Sequence, residues 1–295
     1  QALELRKRLL GDAHPHVATS LNDLANLYYS QERYDQAEPL YFKALELYKR
    51  LLGEAHPDLA IGMNNLANLY NFQGRYNQAE PLYLQALELY KRLLGDAHPH
   101  VATSLNNLAG LYESQGRYDQ AEPLFLQALE LRKRLLGEAH TDFADSLNDL
   151  ANLYYSQGRY DQAKPLFLQA LELYKHLLGE AHPYVATNLN NLANLYYSQG
   201  RYDQAEPLYL QVLELYKHLL GEAHPYVATS LNNLANLYYS QGRYDQAEPL
   251  FLQALEIRQQ VFGVNHPNTV TVRQNLENLQ AQKSSWWQKL LGLFK

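Results

Sequence analysis

Cysteine is absent from the chain of 295 residues, which excludes disulfides, thiol catalysis and the usual zinc sites. Charge is scarce and not basic, with 25 Lys and Arg against 31 Asp and Glu for a net charge of −6. Neutralising phosphates takes an excess of Lys and Arg, so nucleic acid is not an expected partner. No apolar run approaches the roughly 20 residues of a membrane-spanning helix. No signal-peptide pattern opens the chain, and a cytoplasmic location is expected. Phosphate loops, His-Glu-x-x-His and nucleophile elbows are missing too. No catalytic residue, metal site or cofactor is therefore expected, and function should lie in binding.

What the chain has instead is repetition. Gly-x-x-His recurs every 42 residues, at Gly11/His14, Gly53/His56, Gly95/His98, Gly137/His140, Gly179/His182, Gly221/His224 and Gly263/His266. Self-similarity at such a period means stacked supersecondary units that bury a continuous core between neighbours. The histidines invite a metal reading. Same-site residues on successive copies, however, stand one helix pair apart, roughly 20 Å given usual interaxial distances. Capping or loop packing is the expected role.

One copy can be read physically. Pro57 suits the first turn of a helix, and apolar residues at helical spacing continue to about Phe72. Gly74 breaks the pattern, and Gly95 closes a second helix ending near Leu94. Asn77 and Glu80 have the spacing of a capping box, as do Asp35/Glu38, Asp119/Glu122, Asp203/Glu206 and Asp245/Glu248; the fourth copy has Asp161 but Lys164. At about 100° per residue, Leu21, Leu24, Ala25 and Tyr28 form one stripe. Ala37, Tyr41 and Ala44 are their partners on the second helix.

The order Leu-x-x-Leu-Ala-x-x-Tyr, followed by Ala, aromatic and Ala, is carried in the second copy by Met63, Leu66, Ala67, Tyr70, Ala79, Tyr83 and Ala86. It resembles the tetratricopeptide repeat, whose usual period is about 34 residues. The longer variety with Leu-Asn-Asn-Leu-Ala and Gly-x-x-His-Pro looks like the repeats of kinesin light chains, and like arrays appended to bacterial signalling NTPases. The resemblance implies an all-α, right-handed superhelical solenoid of antiparallel helix pairs that acts as a protein–protein interaction scaffold. Its expected parts are a truncated second helix (1–14), six full repeats (15–266), a capping helix (267–282) and a Trp/Leu-rich tail (283–295).

In such arrays the polar stripe of the first helices lines a concave groove. Here asparagine fills it at Asn22, Asn64, Asn106, Asn148, Asn190 and Asn232, and again at Asn26, Asn68, Asn152, Asn194 and Asn236. A third position holds Asn65, Asn107, Asn191 and Asn233, or Asp23 and Asp149. Asparagine is a mediocre helix former, so propensity does not explain this density. Its carboxamide offers both a donor and an acceptor, which suits the main chain of an extended peptide. Tyr29, Tyr155, Tyr197 and Tyr239 add flat amphipathic surface. The alternative is that the asparagines bridge neighbouring helices. The stripe has no Lys or Arg but carries Asp23, Glu113, Asp145 and Asp149, so the expected ligand is a neutral or mildly basic peptide.

Two further readings stay open. The array resembles the sensor arm of a larger signalling NTPase. The tail residues Trp286, Trp287, Leu290, Leu291 and Phe294 suit a cap, an autoinhibitory ligand, or a membrane-surface contact of a peripheral adaptor.

Overall fold

The computed structural model describes the backbone of residues 2–292 and the side chains of residues 2–284. Among these are fourteen α-helices and no strand. The first helices of the repeats are α2 (Pro15–Ser30), α4 (Pro57–Phe72), α6 (Pro99–Ser114), α8 (Thr141–Ser156), α10 (Pro183–Ser198) and α12 (Pro225–Ser240). The second helices are α1 (Ala2–Leu10), α3 (Tyr34–Leu52), α5 (Tyr76–Leu94), α7 (Tyr118–Leu136), α9 (Tyr160–Leu178), α11 (Tyr202–Leu220) and α13 (Tyr244–Phe262), and α14 (Pro267–Gly292) ends the series. The helix ends expected at Phe72 and Leu94 fall where the spacing puts them.

Each first helix starts from a histidine. The His56 Nδ1 accepts from the Asp58 N–H at 3.2 Å, and all six other repeated histidines make the same bond to the N–H two residues on. This satisfies one of the orphan donors of the first turn. Glycine ends the hairpin turns because the chain there is left-handed, as at Gly74 with φ 71°. In the first repeat Glu32 takes that conformation, at φ 58°, without glycine's freedom.

The chain forms two compact units, residues 1–157 and 158–295, so the two helices of the fourth repeat fall in different units. Within each unit a first helix packs on its own second helix and on the second helix of the preceding repeat. Ala25, Ala37 and Ala44 are fully buried and let the helix axes approach, while Leu21 and Tyr41 fill the space beside them. Each buried leucine of this kind contributes about 2 kcal/mol.

The capping boxes expected at the second helices are not formed. The N-cap residue is an arginine (Arg33, Arg75, Arg117, Arg159, Arg201 or Arg243) with no side-chain capping bond. The glutamate reaches the next repeat instead. Glu38 accepts from the Tyr70 hydroxyl at 3.1 Å and from both Arg75 Nη atoms at 2.7 and 2.9 Å. Glu80 does the same with Tyr112 and Arg117, and Glu206 with Tyr238 and Arg243. The arginine also lies over the tyrosine ring, 4.1 Å from its centroid in all three joints. These hydrogen bonds hold the three glutamates below the usual carboxylate range. The spacing read as a local cap is thus an inter-repeat clamp.

α14 continues to Gly292 without a break near residue 282. Val272, Leu276 and Leu279 are buried, while Glu277 and Gln280, at positions where full copies carry Ala and Tyr, face solvent because no described helix covers them. Lys283 bridges Asp245 and Glu248 at 2.9 and 2.8 Å, so a cation serves the last clamp as well. The side chains of Trp286, Trp287, Leu290 and Leu291, and all of Phe294, lie outside the described residues.

Candidate peptide-binding face

The polar stripe does not simply face water. Neighbouring first helices abut along it, and the asparagines bond across that seam. In the first unit the Asn65 Nδ2 donates to the Asn22 Oδ1 at 3.0 Å, and the Asn106 Nδ2 to the Asp149 Oδ2 at 2.8 Å. The Asn64 Nδ2 reaches the Ser104 Oγ at 3.4 Å. In the second unit the Asn233 Nδ2 donates to the Asn190 Oδ1, and the Asn275 Nδ2 to the Asn232 Oδ1, both at 3.0 Å. Asn22 and Asn64 are buried, and Asn148 and Asn191 also have partners.

A second set of asparagines is oriented from within the repeat. The hydroxyl of Tyr41 donates to the Asn26 Oδ1 at 2.7 Å, that of Tyr209 to the Asn194 Oδ1 at 2.6 Å, and Tyr83 donates likewise to Asn68. Burial pushes the Tyr41 and Tyr83 phenols far up, so they stay protonated donors. Where the second helix carries phenylalanine the bond is lost. The third repeat pairs Phe125 with Gly110, and the sixth pairs Phe251 with Asn236. The side chains of Asn107, Asn152 and Asn236 make no hydrogen bond among the described residues, and all three are partly exposed. They are the open carboxamides of the face.

The tyrosines expected on this face are braced by aromatic neighbours. Tyr29 packs against Tyr34 and Phe72, Tyr197 against Tyr202, and Tyr239 against Tyr244, with centroids 5.6–6.1 Å apart. The Tyr197 and Ser240 hydroxyls are bonded at 2.7 Å, and Tyr155 also has a partner.

The third and fourth first helices break the pattern together. A Cβ added at Gly110 would meet nothing within 4 Å, so the missing carboxamide leaves an opening. Glu113 beside it accepts from the Ser156 Oγ at 3.1 Å, and its carboxyl is pushed up by burial and by the charge of Asp149. Asp149 itself is pushed up to about 6, chiefly by burial and also by Asp145, against the bond from Asn106 and the charge of Arg132. The patch therefore gives up its negative charge at a higher pH than free carboxylates would.

Sequence reading missed the tyrosine orienters and Asn275. The signal was present, since tyrosine or phenylalanine on the second helix decides whether a bonded asparagine can stand opposite it.

Two tetratricopeptide-repeat family profiles match, one over residues 1–50, 24–91, 58–134 and 142–218 and the other over 227–268. The chain belongs to the tetratricopeptide repeat family. No curated protein sequence matches it. Among solved structures it is similar to BtubC (BKLC) from P. vanneervenii, at 27% identity and TM-score 0.65, covering 79% of this chain and 94% of that one. It is also similar to a kinesin light chain-like protein of Podosopora anserina with nearly identical repeats, at 26% identity and TM-score 0.58, covering 70% and 98%. The Rap protein complexed with Competence and Sporulation Factor matches in fold, at 17% identity and TM-score 0.63, covering 90% and 75%. The tetratricopeptide repeats here are of the kinesin-light-chain-like type. Such arrays generally serve as protein–protein interaction scaffolds and are typically non-catalytic. No helix among the described residues is long and apolar enough to cross a membrane.

Proposed function

We propose that this tetratricopeptide array binds an extended peptide or protein segment along the first-helix face. The observation that carries the reading is a row of carboxamides, some held by neighbours yet not used up and others uncommitted. Asn65 and Asn233 each commit one N–H to the seam, and a carboxamide has a second N–H and two acceptor lone pairs. Asn107, Asn152 and Asn236 commit nothing within the described protein. Amides held by neighbours lose little entropy on binding, which is what preorganisation contributes to affinity. The absence of Lys and Arg from the stripe, together with Asp23, Asp145, Asp149 and Glu113, favours a neutral or mildly basic ligand.

Selection from a random-peptide display library tests this. The parent should enrich neutral or basic peptides, and Asn152→Ala with Asn236→Ala should lose them while keeping the parent's melting temperature. Equal enrichment by both proteins would place binding elsewhere. Tighter binding of acidic than basic peptides at low salt, if abolished by Asn152→Ala with Asn236→Ala, would end the charge assignment.

A further inference from the structure

The clamp between repeats is broken at one joint. At three joints a glutamate on the second helix, Glu38, Glu80 or Glu206, collects a tyrosine hydroxyl and an arginine from the next repeat. Between α9 and α10 the glutamate position is Lys164. Both cations then converge on one ring. The Lys164 Nζ lies 5.4 Å and the Arg201 guanidinium 4.8 Å from the centroid of Tyr196. The Arg201 guanidinium is farther from its ring than the 4.1 Å of the three joints that contain glutamate. Arg201 keeps only a bond to the Gln199 Oε1 at 3.2 Å, and the Tyr196 hydroxyl has no partner among the described residues. All three side chains are partly exposed, so solvent and ligands reach them.

Two cations gathered at one tyrosine, neither in an ion pair among the described residues and with the glutamate of the other joints replaced, form the outline of an anion site. The shape is calibrated by the molecule itself, because a carboxylate fills the same place three times over, 2.7–3.2 Å from its donors. We propose that the joint between α9 and α10 is a carboxylate site, in which an acidic side chain of a partner protein docks between Lys164 and Arg201 over Tyr196. A planar carboxylate takes the guanidinium bidentately, as Glu206 takes Arg243, and Lys164 adds a point charge. The site stands at the turn end of the hairpins, on clamp residues and not on the asparagine stripe. It is independent of the groove reading, and a partner using both surfaces would be acidic in one stretch and neutral or basic in another.

The test titrates the full chain at low ionic strength with an acetyl-capped, amidated tri-glutamate peptide. The readouts are calorimetry and the Arg201 Nε–Hε NMR signal. Parallel arms use tri-glutamine and inorganic phosphate. Lys164→Glu supplies the missing carboxylate from within and should weaken tri-glutamate binding about tenfold or more, the worth of one charged hydrogen bond. Lys164→Gln, which adds no carboxylate, should show an intermediate loss. Glu206→Lys should create a second site and shift the Arg243 signal on titration. Equal binding by parent and Lys164→Glu overturns the proposal, as does binding of tri-glutamine, or of phosphate without tri-glutamate.

Discussion

Replacing Lys164 by glutamate should stabilise the protein, which is uncommon for a single substitution. The structure supplies the magnitude. Glu206, the counterpart two helices on, accepts from Tyr238 at 2.9 Å and from Arg243 at 2.7 and 3.1 Å. Its side chain and that of Arg243 are 25% and 33% exposed, so solvent screens the pair. A partly exposed ion pair is worth below about 1 kcal/mol, and two-point geometry with a further hydroxyl raises the total to about 1–1.5 kcal/mol. Removing the Lys164–Arg201 repulsion adds a few tenths at most. In a repeat array such an interface term enters the total stability directly, so the melting temperature should rise by about 2–4 °C at low salt. The gain should shrink in about 1 M salt, where the Debye length falls to about 3 Å. It should also vanish in acid. A clamp glutamate with a depressed folded pKa contributes stability above its unfolded pKa, near 4.3, and loses it as pH falls through the folded value. Thermal melts at pH 7 and pH 3, in low and high salt, measure all of this. A Lys164→Glu protein no more stable than the parent at pH 7 and low salt would mean the clamps contribute geometry and no free energy, and the magnitude above would be wrong.

Other outcomes follow from the same geometry. Asp149→Asn should raise stability at pH 7–8 by about 2 kcal/mol or less, because the folded pKa near 6 disfavours the carboxylate; the parent's advantage from this group is complete below about pH 4 and is lost as pH rises through 6, and the variant should lack that slope in pH-dependent melts. Asn232→Ala breaks the bond from Asn275 and should cost about 1 kcal/mol in urea denaturation, whereas Asn236→Ala, which breaks none, should cost under about 0.5 kcal/mol. Glu32→Gly relieves a left-handed glutamate and should stabilise by about 0.5–1 kcal/mol in the same assay, glycine's entropy offsetting part of the relief. His182→Ala removes an N-cap acceptor and should cost about 1 kcal/mol, with faster amide exchange confined to the first turn of α10.

The helices were legible in the sequence because their signals are local. Proline, glycine and the 3.6-residue spacing each act within a turn or two, and copying shows the same signal at every repeat. The side-chain roles were less legible because they are settled between copies. Glu38 stands three residues after Asp35, so a local rule reads a capping box. Its actual partners, Tyr70 and Arg75, are 32 and 37 residues away, and charge-assisted bonds to a guanidinium outweigh a backbone cap. Asn22 fell on the face opposite the core in a single-helix projection. In a stack that face meets the next first helix, so the residue is buried and paired with Asn65. A helical wheel knows one helix, and the seam belongs to two.

Repetition then makes each departure informative, since the other copies show what the position does when intact. Gly110 appears where the second helix has Phe125 and no hydroxyl to hold a carboxamide. Asp149 replaces asparagine in the seam and still accepts from Asn106, at the cost of a carboxylate that resists ionising. Lys164 replaces glutamate and leaves Tyr196 and Arg201 beside a second cation where the other joints have a carboxylate. The first change opens the face, the second makes its charge respond to pH, and the third exposes a cationic pair at the turn end. None of the three is one of the buried alanines and leucines that stack the helices. The stacking core is therefore kept constant while the polar positions between copies vary, and on the reading proposed here those positions would let one segment of the array bind differently from the next.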